Sequence, residues 1–214
     1  MRTFPEPAQA TEDRSRLIRS LARRYERALV GIERSEAIEC ALEALELTQD
    51  PAQVYARVIQ PAMHQIGKLW ELGELTVAEE HVATAMSSEV VALVAPPVPE
   101  QPEPRGRALL SAVEGEYHVV GLRMIGYLLE GRGYTVEFIG TGVPTEDLMS
   151  IVRHRNPSLV GLSISSEGRA PALRSAMEAL ADSNTPVLIG GAGVPASLRG
   201  DRLPYVRDAQ SLPV

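Results

Sequence analysis

The stretch RALLSAVEGEYHVVG (residues 107–121) joins a short apolar run to a loop with two carboxylates, a histidine and a glycine. The apolar run predicts a buried strand, and the amphipathic segment from Val119 to Glu130 predicts a helix after it. His118 would then follow the carboxyl end of a strand. Because ligands bind at that edge in open α/β sheets, the loop is a candidate ligand site.

The chain after this loop continues with alternating strands and helices. GYTVEFIG, SLVGLSIS and TPVLIGG predict strands, while PTEDLMSIVRHR and APALRSAMEAL predict helices. This alternation predicts parallel βαβ units, and right-handed crossovers predict a doubly wound, Rossmann-like (flavodoxin-like) five-stranded sheet with strand order 2-1-3-4-5. In that order the loop of His118, Ser163 and Gly190-Gly191 come to one edge of the sheet.

The chain before residue 95 shows only helical periodicity, in four amphipathic segments. Asp50 and Pro51 predict a cap and a first-turn proline for the third helix, and Thr76 and Glu79 have the spacing of a capping box for the fourth. Four amphipathic helices with short connections predict an antiparallel four-helix bundle that precedes the sheet.

A proline-rich segment separates the two patterns. The segment APPVPEQPEPRGR (residues 95–107) contains five prolines and scattered charge, which predicts a stiff, extended linker. The expected organisation is a disordered N-terminus over 1–12, a helical bundle over 13–95, a linker over 96–106 and a Rossmann-like domain over 107–214.

Composition restricts the classes of function. With 214 residues, 44% apolar residues and a net charge of −7, the chain is an ordinary globular protein without a broad basic surface for nucleic acid. A single cysteine, Cys40, excludes an internal disulfide framework and fits a reducing compartment. No signal-peptide pattern opens the chain, and VVALVAPPV (residues 90–98) is too short to span a bilayer. We expect a cytoplasmic protein with no membrane partner.

The residue types at the predicted sheet edge suit metal chemistry. A neutral imidazole such as that of His118 ligates transition metals, and a carboxylate on its other nitrogen fixes the tautomer, which is the role expected of Glu116. Gly121 would let a bulky ligand approach the backbone. Taken singly, these residues are typical of a surface loop, but their convergence with Ser163 and Gly190-Gly191 favours one binding site.

The segment EYHVVG resembles the Asp/Glu-x-His-x-x-Gly signature of cobalamin-binding domains of the methionine-synthase type. The resemblance implies that His118 replaces the cofactor's own base as the lower ligand of cobalt and that Glu116 orients it. The family's Ser-x-Leu/Val and Gly-Gly elements flank the nucleotide tail and match Ser163, Gly190 and Gly191. The match departs from the family pattern after Ser163, where Ile164-Ser165 follows.

The helical region carries a second resemblance. Trp70 is followed after nine residues by Glu80-His81, which is similar to the W-x9-EH motif of CarH-type photoreceptors. That resemblance implies adenosylcobalamin as cofactor, with Trp70, Glu80 and His81 in an upper pocket. The residue after the tryptophan is a histidine in some of those proteins but is Glu71 here. His81, His64 or water therefore stay open as the upper ligand after illumination.

These resemblances suggest a cobalamin-dependent light sensor without catalytic residues, in which photolysis changes domain or subunit packing. The alternatives are a corrinoid methyl carrier that serves a separate methyltransferase and a cobalamin storage or delivery protein. Resemblance to the photocobilins adds a bilin as an optional second chromophore. We expect a homo-oligomer, with a dimer favoured, and a separate downstream protein. CarH repressors have a helix-turn-helix domain that this sequence lacks, so direct DNA binding is not expected.

Overall fold

The computed structural model describes residues 7–100, 105–199 and 205–206, and the chain divides into two compact units, Met1–Val94 and Ala95–Val214. Parts of the predicted N-terminal tail, linker and sheet domain lie outside the described residues, at 1–6, 101–104, 200–204 and 207–214. The tail predicted over 1–12 differs from the structure in its second half, because the first helix begins at Pro7. Proline suits the first turn of a helix, where its missing N–H group leaves no bond unmade.

The first unit is a bundle of four helices. They are α1 (Pro7–Val30), α2 (Arg34–Thr48), α3 (Pro51–Val54, Tyr55–Ile59 and Gln60–Glu71) and α4 (Val77–Leu93). Helix α1 packs against the other three. The predicted caps are confirmed: the Asp50 side chain accepts a hydrogen bond from the Ala52 N–H group, and Thr76 and Glu79 form a complete capping box.

A turn of π-helix interrupts α3 at Tyr55–Ile59. Pro61 follows two residues later and has no N–H group to donate, so a regular α-helix cannot be completed there. The Gln60 N–H group bonds to the Tyr55 carbonyl, five residues back, and this wider turn carries the helix past the proline. Sequence periodicity gave no sign of this change in winding.

Two tyrosines lie fully buried in the core of the bundle, and each hydroxyl group has a partner. Tyr25 donates to Ser87 Oγ over 3.0 Å, and Tyr55 donates to the Val91 carbonyl over 2.8 Å. These two bonds tie α1 and α3 to α4. Leu17 of α1 is 53% exposed, whereas the neighbouring Ile18 and Leu21 are buried.

The second unit confirms the predicted fold class. Strands β1 (Arg107–Ala112), β2 (Thr135–Gly140), β3 (Leu159–Ser163), β4 (Val187–Gly190) and β5 (Tyr205–Val206) form a parallel sheet in the order 2-1-3-4-5. The crossover helices are α5 (Val120–Glu130), α6 (Thr145–Arg155) and α7 (Ala170–Leu180). Because the central strands are covered on both faces, β1, β3 and β4 are nearly continuous apolar runs.

The strand order places the loops after β1, β3 and β4 next to one another. Ser163 pairs in register with Ala112 of β1 and with Gly190 of β4. The carboxyl edge of the sheet is therefore where the residues of the predicted site meet. Across the described ranges, no helix is both long and apolar enough to cross a membrane.

Candidate functional site

The loop after β1 turns sharply before it reaches the histidine. The Glu116 N–H group bonds back to the Val113 carbonyl over 2.9 Å, and Gly115 adopts φ +73°, a conformation that favours glycine. Beyond the strand, the Val113 N–H group still bonds to the Ser163 carbonyl of β3. This turn folds Glu116 inward.

The Glu116 carboxylate is the organising group of the site. The residue is 2% exposed, yet its side chain accepts five hydrogen bonds. Oε1 receives the N–H groups of Tyr117 and His118, each at 2.9 Å, and lies 2.6 Å from His118 Nδ1. Oε2 receives the Ser165 N–H group at 2.7 Å and the Ser165 hydroxyl at 2.8 Å. A buried carboxylate is stable only with such complete pairing.

These bonds keep Glu116 ionised. Burial raises the pKa of the carboxyl, but the bonds from His118 and Ser165 outweigh it and lower the pKa from 4.5 to about 2. A carboxylate can only accept, so the short contact requires His118 Nδ1 to carry the proton. The opposite ring nitrogen, Nε2, is then the basic one and can ligate a metal.

His118 combines a fixed orientation with exposure. Its side chain is 70% exposed, while Nδ1 is held by Glu116 and lies 2.9 Å from Ser165 Oγ. The Ser165 hydroxyl donates to Glu116 and accepts from the imidazole, so the three side chains form one connected unit. We call Glu116, His118 and Ser165 the ligand triad.

Sequence reasoning missed Ser165 as a member of the site. Ser163 ends β3 in register with Gly190, and the hydroxyl that contacts the other two residues of the triad belongs to Ser165. Leu162 and Ile164 are buried, whereas Ser163 and Ser165 are half-buried. The alternating pattern of LSIS therefore carried a signal that two serines share one side of the chain.

The predicted glycines differ in their surroundings. A Cβ atom on Gly121 would meet open space, so that position has room for an approaching group. Gly190 is the last residue of β4. Gly191 has φ +105°, and a Cβ atom there would lie 2.0 Å from the Ile164 carbonyl oxygen. In this structure Gly191 lets the loops after β3 and β4 approach each other.

The helical unit holds the other three predicted site residues near the turn between α3 and α4. Trp70 is 47% exposed, although it lies in the last turn of α3. Glu80 and His81 lie in the first turns of α4, where His81 Nε2 is 3.7 Å from Glu80 Oε2. Glu80 also accepts a hydrogen bond from the Thr84 hydroxyl at 2.8 Å. These side chains present an aromatic ring, a carboxylate and an imidazole on one end of the bundle.

The donor set of the sheet edge suits one particular kind of metal group. In the described part of the chain, no three His, Cys, Asp or Glu side chains lie close enough together to hold a bare ion. A single oriented imidazole can instead supply one axial ligand to a metal that arrives already held by a macrocycle. The residues at the sheet edge therefore fit a cobalt corrinoid.

Comparison with known protein families agrees with this fit. Residues 21–94 match one family described as a B12 binding domain, and residues 106–205 match a second family with the same description. Each unit of the chain therefore matches a B12 binding domain over most of its length. Cobalamin binding follows from the two matches together, and the ligand triad lies inside the second match.

Similar proteins include corrinoid proteins and a repressor. Dimethylamine corrinoid protein 1 of Methanosarcina acetivorans is 27% identical over 165 residues, which cover 74% of this chain and 78% of that protein. The HTH-type transcriptional repressor CarH of Myxococcus xanthus is 30% identical over 165 residues, which cover 74% of this chain and 52% of the repressor. The structure of the Methanosarcina barkeri monomethylamine corrinoid protein superposes with a TM-score of 0.70 at 18% identity, covering 87% of this chain and 92% of that chain.

Proposed function

We propose that the chain binds cobalamin with His118 Nε2 as the lower ligand of cobalt, in place of the cofactor's own base. One observation carries this proposal: Glu116, ionised and buried, holds Nδ1 at 2.6 Å and so fixes the tautomer in which Nε2 is basic. Gly121, Ser163, Gly190 and Gly191 are proposed to flank the corrin and the displaced nucleotide tail.

Bound cobalamin would supply a cobalt–carbon bond that can be made and broken. The residues of this chain would hold and tune that group. Glu116 would strengthen the donor power of His118 by accepting a hydrogen bond from its Nδ1–H group, and Ser165 would keep the carboxylate in place through two bonds. No group of the triad is required to attack a substrate, so the chain would act as a carrier and a partner protein would perform the transfer.

Among the functions open to such a carrier, we propose methyl-group carriage for a separate methyltransferase. The similarity to dimethylamine corrinoid protein 1 supports this choice, because that match extends over 78% of the relative. The match to CarH has a higher identity but extends over only 52% of the repressor. Light sensing, which sequence reasoning placed first, becomes the second candidate.

Competitive binding of two cobalamins separates these functions. The purified chain is titrated with methylcobalamin and with adenosylcobalamin in the dark, and the absorption spectrum of cobalt reports the binding. A methyl carrier should bind methylcobalamin at least as tightly as adenosylcobalamin. A strong preference for the adenosyl form would contradict methyl carriage and favour the sensor.

The light sensor rests on a specific observation, the placement of Trp70, Glu80 and His81 at one end of the bundle. These residues would form an upper pocket for the adenosyl group, and its loss in light would change packing in a homodimer read by a downstream protein. Light scattering on matched dark and green-illuminated samples tests this second candidate. Equal mass and radius after spectrally confirmed photolysis would remove it. Biliverdin added to the same samples tests the bilin prediction by its absorbance.

A further inference from the structure

The segment that carries Ser165 is fixed by contacts from neighbouring loops. It leaves β3 at Ser163 and continues to Arg169, whose N–H group bonds to the Ser166 carbonyl at 3.1 Å. On one side, the Arg169 guanidinium covers Gly115, where a Cβ atom would lie 2.6 Å from Nη1. On the other side, the Gly193 N–H group bonds to the Ile164 carbonyl at 3.3 Å.

Gly193, which lies outside the Gly190-Gly191 pair, also approaches this segment closely. A Cβ atom at Gly193 would lie 2.4 Å from both the backbone nitrogen and the carbonyl carbon of Ser166, and 2.5 Å from its carbonyl oxygen. All three are backbone atoms, so no side-chain rotation could relieve the collision. Gly193 is buried, and the space that it leaves is filled by the peptide backbone next to Ser165.

We infer that Gly193 is a positioning residue for the cobalt ligand: its missing side chain lets the loop after β4 hold Ser165 against Glu116. The inference rests on the proposed role of His118 as lower ligand. The Ser165 N–H and hydroxyl groups both bond to Glu116 Oε2, so a shift of the neighbouring Ser166 backbone changes two of the five bonds to the carboxylate. Glu116 in turn orients the imidazole.

The experiment compares Gly193→Ala with two glycine controls in the same unit. In Gly161→Ala, the new Cβ would lie 2.4 Å from Leu110 Cδ2, so this variant disturbs the sheet core away from the triad. In Gly168→Ala, the nearest atom is Ser166 Oγ at 3.5 Å, which is ordinary contact in the Ser165 segment itself. Thermal unfolding of each cofactor-free protein measures the global loss of stability against which the local effects are judged.

Two readouts report on the triad. In the cofactor-free protein at neutral pH, hydrogen exchange measures protection of the Ser165 amide, and ¹⁵N chemical shifts report the His118 tautomer. With hydroxocobalamin, the absorption spectrum reports histidine ligation and affinity. We expect Gly193→Ala to speed Ser165 exchange and weaken cobalamin binding by about tenfold each, at the lower end of the effect for residues that support a ligating histidine. Both controls should stay close to the wild type in these readouts.

Unchanged Ser165 exchange in Gly193→Ala, or an equal change in Gly161→Ala at equal loss of stability, would overturn the inference. If Gly193→Ala does not fold, Val194→Ala replaces it, because Val194 is fully buried in the same hydrophobic cluster as Ile164 of the segment and its truncation loosens the packing without a collision. That variant should still speed Ser165 exchange, by a smaller factor, and no change would overturn the inference. If exchange changes as expected but His118→Ala leaves the cobalamin spectrum unaltered, the positioning by Gly193 stands and the proposed ligand role of His118 fails.

Discussion

Both units of the chain place a glutamate beside a histidine, but they treat the pair differently. In the sheet unit, the Glu116 carboxylate is 2% exposed and lies 2.6 Å from His118 within a set of five hydrogen bonds. In the helical unit, Glu80 and His81 are 3.7 Å apart, and the His81 side chain is 73% exposed. A contact of this length with the imidazole in water contributes little, because water and salt screen it.

If the proposed roles hold, this difference determines how strongly the chain specifies each of the two groups of cofactor contacts. The hydrogen bonds within the ligand triad fix the orientation of His118, so we propose that the fold itself selects the lower ligand. Trp70 and His81 are exposed on the bundle and Glu80 is half-buried with a bond from Thr84, and among the described residues these three have no comparable network around them. We therefore expect substitutions at the sheet edge to have larger effects on cobalamin than those on the bundle.

Loss of His118, the proposed lower ligand of cobalt, should have the largest effect. In His118→Ala, the spectrum of bound cobalamin should shift to the base-off form, and affinity should fall by at least about 100-fold, beyond the range for outer partners of a ligating histidine. The control is His154→Ala, an exposed histidine on α6 of the same unit. A spectrum that is identical in His118→Ala and wild-type protein would contradict the ligand assignment.

The second prediction concerns the acid stability of the cofactor-free protein. The pKa of Glu116 is about 2 in the folded chain and 4.5 without the fold, so its bonds contribute stability above pH 4.5 that is lost as the pH falls toward 2. The full contribution is on the order of 3 kcal/mol. Urea unfolding at a series of pH values should show a weaker dependence in this window for Glu116→Gln. Equal slopes for both proteins would contradict the folded-state pKa.

Glu116→Gln should also weaken cobalamin binding, by roughly tenfold. If the amide oxygen replaces Oε1, the amide NH₂ group must face the Ser165 N–H group, and two donors cannot bond to each other. Absorption titration measures the change. Glu114→Gln is the matched control, because Glu114 is an exposed carboxylate in the same loop. A comparable loss in the control would place the effect in the loop rather than in the triad.

The fold was predictable because periodicity and caps are local signals. The alternation after residue 107 determined the parallel sheet and its order, and the residues of both helix caps were visible in the sequence. The contact between Glu116 and His118 was predictable because the two residues are only two positions apart in the same turn. The helical start at Pro7 and the π-turn before Pro61 were not predicted, because apolar periodicity does not mark the residue at which a helix begins or changes its winding.

The missed parts of the site depend on contacts between distant segments. Ser165 lies 49 residues from Glu116 in sequence. To decide whether Ser163 or Ser165 reaches the carboxylate, one must know the residue at which β3 ends. Gly193 carries no sequence signal of its own, since the approach of Ser166 becomes visible only when both loops are in place. Close backbone approach is a property of packing, which residue type alone does not reveal.

The two serines provide a smaller test of the sheet edge. Ser165→Ala removes the hydroxyl's bonds to Glu116 and to the His118 imidazole but keeps the bond from the Ser165 N–H group. Cobalamin affinity should fall by about fivefold, as for the loss of two side-chain hydrogen bonds of about 0.5 kcal/mol each. Ser163→Ala is the paired variant, and its effect on the histidine-bound spectrum should be smaller. A larger effect of Ser163→Ala would mean that Ser163, as predicted from the sequence, is the functional serine.

Trp70→Ala should have the smallest effect and tests the bundle side of the comparison. Trp70 is 47% exposed, and the described residues form no enclosed network around Glu80 and His81, so the ratio of adenosylcobalamin to methylcobalamin affinity should change by less than about threefold. Leu72→Ala, at a 72% exposed apolar residue in the following turn, controls for general loss of surface. Competitive titration in the dark measures the ratio. A drop of tenfold or more for Trp70→Ala alone would mean that the upper face is specified as firmly as the lower one, and the light sensor would then replace methyl carriage as the better supported function.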